Sequence, residues 1–167
     1  VLRTPETPEA LAEAPVQYGT PILMPPNRIR NGRFSFDGRA YQFDVNNQQG
    51  NHIHGVIRGL PWKVKASGEQ NGRQFITSVL RFRDFADTMR QYPHDLELEV
   101  TYELQGTVLL HRLKATNHGE LSAPFGYGLH TWFLLDGAPE RWTLQLPVSG
   151  VWPLDEAKMP SGQIEPL

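Results

Sequence analysis

Asn51-His52-Ile53-His54-Gly55 sets two imidazoles two residues apart, and in an extended segment such residues project to the same face. The glycine that follows removes a side chain where a ligand could approach the backbone. A third imidazole, His130, stands far downstream in Gly128-Leu129-His130-Thr131-Trp132-Phe133, again beside glycine and aromatic residues. Histidines in such company can exchange protons near neutral pH, ligate a metal, or serve as hydrogen-bonded core residues. As a metal pair, His52 and His54 lack a following carboxylate at ligand spacing, so no metal site is expected. His52 reads as an outer or solvent-facing residue, and His94, His111 and His118 as strand or turn residues.

The rest of the chain must position these groups. At 167 residues it is long enough for one domain, which at this size buries roughly 70% of its unfolded surface. Sixteen basic and eighteen acidic residues leave a net charge of −2, which argues against nucleic acid or an anionic membrane as partner. The absence of cysteine excludes disulfides, thiolate metal sites and thiol nucleophiles. No apolar run approaches membrane-spanning length and no signal-peptide core is present, so a cytoplasmic location is expected. Ten per cent aromatic residues with frequent Gly and Pro suit a sheet-rich fold.

Thr7-Pro8-Glu9 predicts an N-capped helical turn or two through Ala14. Prolines make residues 18–29 an edge or irregular crossing. Asp37-Gly38 predicts a hairpin between 32–36 and 39–43, and Asn71-Gly72 another between 62–66 and 74–83. Asp84 is a candidate cap for a short helix over 85–90. Over 96–104 the alternation is clean: Leu98, Val100 and Tyr102 are expected buried, and Glu97, Glu99 and Glu103 exposed. Strands are expected again over 108–116, 125–135 and 141–148, with a turn at Asp136-Gly137 between the last two. About nine strands and almost no helix indicate an all-β antiparallel sandwich over residues 1–167.

Five motifs in order carry a resemblance: Pro26-Asn27-Arg28-Ile29, Asn51-His52-Ile53-His54-Gly55, Tyr92-Pro93-His94-Asp95-Leu96, Ala115-Thr116-Asn117-His118 and Gly128-Leu129-His130-Thr131-Trp132-Phe133. Together they resemble the aldose 1-epimerase, or galactose mutarotase, family from Tyr18 onward. The resemblance implies a large antiparallel β-sandwich with a sugar cleft on a concave sheet, and interconversion of the α and β anomers of a free hexose. It implies that Arg28 contacts sugar hydroxyls, that His54 helps hold the ring oxygen, and that His130 is the general acid. Asn51 and Trp132 join Arg28 and His54 as expected substrate-binding residues. Trp62, Trp132 or Phe133 could form an apolar wall. A small sugar is the expected partner, without cofactor. Arg28, Arg30, Arg33 and Arg39 could also meet a sugar phosphate, although a solvated hairpin face is the commoner meaning of such a cluster.

The sequence departs from the family pattern at Val56, where a second glycine is usual, and at Thr131-Trp132, where Pro-Tyr is usual. The family's base is a glutamate in its C-terminal part, beyond a sugar-binding aspartate, and no carboxylate here matches either position; Glu165 lies in a different stretch. The expectation is therefore a piece of a longer mutarotase-like domain. A carbohydrate-binding domain without turnover is the alternative. Tested alone, the 167 residues are expected to show no mutarotation; if they did, Asp95, Asp136, Glu140 and Glu165 would be the carboxylates to examine.

Overall fold

The computed structural model describes residues 2–135 and 137–167. In chain order its elements begin with α1 (Pro8–Glu13), β1 (Ile22–Leu23), β2 (Arg28–Ile29), β3 (Arg33–Phe36), β4 (Arg39–Gln42) and β5 (His52–Ile53). There follow β6 (Lys63–Gln70), β7 (Arg73–Arg81), α2 (Ala86–Gln91), β8 (Leu96–Gln105) and β9 (Val108–Asn117). The last are β10 (Gly128–Leu129), β11 (Gly150–Val151) and β12 (Glu165–Pro166). The fold is all-β with antiparallel sheets, as expected. Among the described residues no helix is long and apolar enough to cross a membrane.

Two compact units make up the chain. The first comprises residues 1–35, 40–59 and 126–167, and the second 36–39 and 60–125. In the first, short strands pair across long sequence intervals: Ile22 with Leu129, Leu23 with Gly128, Arg28 with Ile53 and Ile29 with His52. Thr7 caps α1 through an Oγ1 that accepts from the Ala10 N–H at 3.2 Å, and Pro8 opens the helix. Leu23, Met24, Tyr41, Phe43 and Ile57 are its buried apolar residues. Phe34 stacks on Tyr41 at 4.7 Å and meets Phe43 edge-on at 5.4 Å. The Asp37-Gly38 hairpin forms as expected, with positive φ at both residues, as its turn type requires.

The second unit is a four-stranded meander, β6-β7-β8-β9, with one apolar and one charged face. β6 reaches Gln70, beyond the expected end at Ala66, because a bulge between Val64 and Ala66 restores the pairing register up to the Asn71-Gly72 turn. Asp84 does not cap α2. It lies in a preceding 3-10 turn and binds Lys63 Nζ at 2.9 Å, while Phe85 takes the capping position without a side-chain bond.

The alternation of β8 holds in direction but not in extent. Leu96, Leu98 and Val100 are buried, Tyr102 is half-buried, and Leu104 is 45% exposed. The buried end lies beside the 3-10 turn, where the Phe82 and Tyr92 rings meet at 5.5 Å. The far end of that face stays open, with Ile76 and Leu109 also exposed. On the other face, Glu97, Glu99 and Glu103 are half-buried rather than exposed, because cross-strand cations lie over them. Arg73 and Arg112 hold Glu103 at 3.3 and 2.9 Å, and Lys65 pairs with Glu99.

The late segments hold fewer strands than their apolar pattern predicts. Over 125–135 only Gly128–Leu129 is a strand, with a single further bridge from Phe133 to Leu2. Residues 142–148 form no strand, and their apolar side chains are exposed, Leu144 by 80%. Apolar alternation makes a strand only where a neighbour supplies ladder hydrogen bonds, and none among the described residues does so there. Asp136 of the expected turn lies outside the described residues.

This burial gradient predicts unequal costs along one strand. Leu98→Ala should lower the stability of the folded chain by about 2–5 kcal/mol, whereas Leu104→Ala should cost less than about 1 kcal/mol. Urea unfolding followed by tryptophan fluorescence measures both, and equal losses would contradict the gradient.

Candidate functional site

The first unit brings His54 and His130 together. β5 ends at Ile53, and the next two residues, His54 at φ 68° and Gly55 at φ 73°, both adopt the left-handed conformation. That conformation is uncommon for a residue with a side chain and costs roughly 1–3 kcal/mol, so the surroundings must enforce it. They do so through backbone bonds: the His54 N–H donates to Asn27 O at 2.8 Å and the Val56 N–H to Met24 O at 3.0 Å. Only glycine fits between them, since a β-carbon at Gly55 would stand 2.1 Å from the Met24 carbonyl oxygen.

His130 is placed the same way from the opposite side of the chain. Its N–H donates to Pro21 O at 2.9 Å and the Trp132 N–H to Gly19 O at 2.9 Å. The Trp132 indole Nε1–H donates to Val16 O at 3.0 Å. As a result the His54 and His130 rings meet edge to face at 5.1 Å, and His130 and Trp132 lie 5.3 Å apart at a shallow 33°. A pocket of about 280 Å³ is lined by these three rings together with Val16, Gln17, Pro21 and Arg58.

The left-handed turn corrects the same-face expectation for His52 and His54. Alternation breaks at His54, so the two rings part. His52 is buried, not solvent-facing: its Nδ1 lies 2.7 Å from Asp44 O and its ring stands edge-on to Phe43 at 4.9 Å. Asn51 is also placed elsewhere than expected. Its side chain is fully buried, with Oδ1 accepting from the Asn31 N–H at 3.1 Å and Nδ2 donating to Ala157 O at 3.3 Å. Both ends of the amide hold the loop rather than face the pocket.

Arg28 pairs in register with Ile53, next to His54. Its Nη1 donates to Asn27 Oδ1 at 3.3 Å, while its enclosed Nε has no partner. Arg58 is the residue that pattern reasoning missed; its one sequence signal is a lone cation four residues after His54, between Ile57 and Gly59. Burial, then the charges of Arg58, His130 and Arg28, push the His54 pKa down to about 4. His54 is therefore a neutral imidazole near pH 7, with a buried Nδ1 that has no hydrogen-bond partner. Such a ring suits holding a polar group better than delivering a proton.

The remaining candidates have other surroundings. His94 is buried against Tyr92, and burial holds its pKa below the usual imidazole value. His111 packs on Tyr102 and His118 lies 3.8 Å from Glu97. Arg81 forks onto the Asp95 carboxylate at 2.9 and 2.8 Å, and Arg83 adds a contact at 3.0 Å. Glu140 and Glu165 are exposed, and Asp136 lies outside the described residues. Among the described residues no group of three His, Cys, Asp or Glu side chains is placed to hold a metal ion.

The family profile for aldose 1-epimerase matches residues 1–167. Galactose mutarotase of Sus scrofa is 29% identical over 174 aligned positions, covering 100% of this chain and 47% of that protein. The crystal structure of a galactose mutarotase-like protein from Clostridium acetobutylicum superposes with a TM-score of 0.88 at 26% identity, covering 99% of this chain and 51% of that one. Galactose 1-epimerase from Lactobacillus acidophilus, at 24% identity and a TM-score of 0.81, shares the fold. The chain spans about half the length of the curated relatives it matches.

Two outcomes follow from the turn at His54. Gly38→Ala, left-handed but in open space, should bear only the conformational penalty of about 1 kcal/mol. Gly55→Ala should cost more, because its β-carbon also meets the Met24 carbonyl; paired urea titrations compare them. Because the folded His54 pKa lies below its unfolded value of 6.5, the unfolded chain binds more protons. His54 thus contributes stability that is present above pH 6.5 and lost as pH falls toward 4. His54→Gln should flatten that part of the stability–pH curve, and an unchanged slope would contradict the depressed value.

Proposed function

The chain belongs to the aldose 1-epimerase family, and from that premise we propose that its His54–His130 pocket serves the interconversion of α and β anomers of a hexose. The observation that carries the reading is the 5.1 Å approach of two imidazoles drawn from distant segments, with an indole beside one of them.

Opening a pyranose needs a proton at the ring oxygen and loss of one from the anomeric hydroxyl. The ring C–O bond breaks as the carbonyl forms, the aldehyde rotates about C1–C2, and the reverse steps close the other anomer. In this reading His130 delivers the proton to the ring oxygen, a task worth roughly 10²–10⁴-fold in rate. Neutral His54 holds the ring oxygen and its neighbouring hydroxyl by hydrogen bonding. Arg28 offers a fork of donors to vicinal hydroxyls. Trp132, fixed by its bond to Val16 O, presents an apolar face to the sugar's C–H surface.

No carboxylate is among the described residues lining the pocket, and that observation favours a second reading, a sugar-binding domain without turnover. Polarimetry of freshly dissolved α-D-galactose or α-D-glucose separates the two. An epimerase speeds the change in rotation above buffer, and His130→Ala should slow it by about 10²–10⁴-fold while binding changes far less. Calorimetric binding with no added rate would establish the second reading. Near-normal turnover by His130→Ala would assign the acid to another group.

A further inference from the structure

Six of the twelve arginines, Arg30, Arg73, Arg81, Arg83, Arg90 and Arg112, have a carboxylate of a described residue within 3.3 Å. The two arginines nearest His54 do not. Arg58 forms no ion pair or hydrogen bond with any described residue, and Arg28 has its single contact with the neutral Asn27 amide. Arg58 is nonetheless held at the pocket, because Ile57 before it is buried to 1% exposure and anchors the segment. The described lining of the pocket contains no acidic side chain.

A guanidinium without a counter-charge at the edge of a pocket is a fork-shaped donor for a phosphate or carboxylate. A neutral hexose brings only hydroxyls, which leave Arg58, the guanidinium lining the pocket, with water alone as its partner. The pocket's volume of about 280 Å³ lies at the small end of ligand sites, a size that suits one sugar ring with its substituent toward the rim. Resting on the epimerase reading of this site, we propose that its substrate is a hexose bearing an anionic group, phosphate or carboxylate, and that Arg58 selects it. Among the charges acting on His54, that of Arg58 opposes its protonation most.

The test is calorimetric binding of D-galactose, D-galactose 6-phosphate, D-galacturonate and inorganic phosphate to the purified protein and to Arg58→Gln. The anionic sugars should bind about ten- to a hundred-fold more tightly than galactose, the range of a hydrogen bond to a charged group. The two anionic sugars show which group the fork prefers. In Arg58→Gln the ratio of anionic to neutral affinity should fall about ten-fold, and high salt should lower it in the unsubstituted protein. Because Arg58 is exposed, its loss should leave the fold intact, as circular dichroism would verify. Equal affinity for neutral and anionic sugars, an unchanged ratio in Arg58→Gln, or phosphate binding as tight as sugar phosphate would each overturn the proposal. Polarimetry on the same sugars stands apart. An anionic preference without turnover would sink the epimerase reading and leave this inference intact.

Discussion

A β-carbon at Gly55 would lie 2.1 Å from the Met24 carbonyl oxygen, and this close passage of two backbones determines where the His54 ring can point. With the strand continuing as β, His54 would share a face with His52 and end beside Phe43. Instead two consecutive left-handed residues turn it out of register, and the bonds to Asn27 O and Met24 O lock the turn. The strain of a left-handed histidine is thus borne by a paired backbone. The same crossing orients Arg28, whose strand is the partner of β5.

Electrostatics in the pocket then follow from position. His54 sits between two guanidiniums and a second imidazole, partly out of water, and each influence acts against its protonation. His54 is thereby kept neutral near pH 7, with the His130 ring 5.1 Å away. Trp132 completes the wall because its indole N–H is already engaged by Val16 O.

The meander of the second unit obeys a different constraint. Its strands are long and sequential: two-residue turns at Asn71-Gly72 and Gly106-Thr107 set the register of β6 with β7 and of β8 with β9, while the 3-10 turn and α2 stand between β7 and β8. Its apolar face is buried beside the 3-10 turn and open beyond it. Its other face draws three glutamates under arginine and lysine side chains, whose long stems exclude water without burying charge.

What the sequence by itself determined was local. Asp37-Gly38 and Asn71-Gly72 demanded their turns, Thr7-Pro8 its cap, and the alternation from Leu96 to Val100 its buried face, because each depends on residues close along the chain. The family motifs marked His54 and His130 as a pair without showing how they meet. Tertiary structure alone decided that His52 is buried, that Asn51 spends its amide on the loop, that Arg58 joins the pocket, and that residues 142–148 form no strand. Each of those outcomes turns on a partner distant in sequence: a carbonyl that forbids a β-carbon, a loop that accepts a hydrogen bond, or a neighbouring strand that is or is not there to complete a ladder.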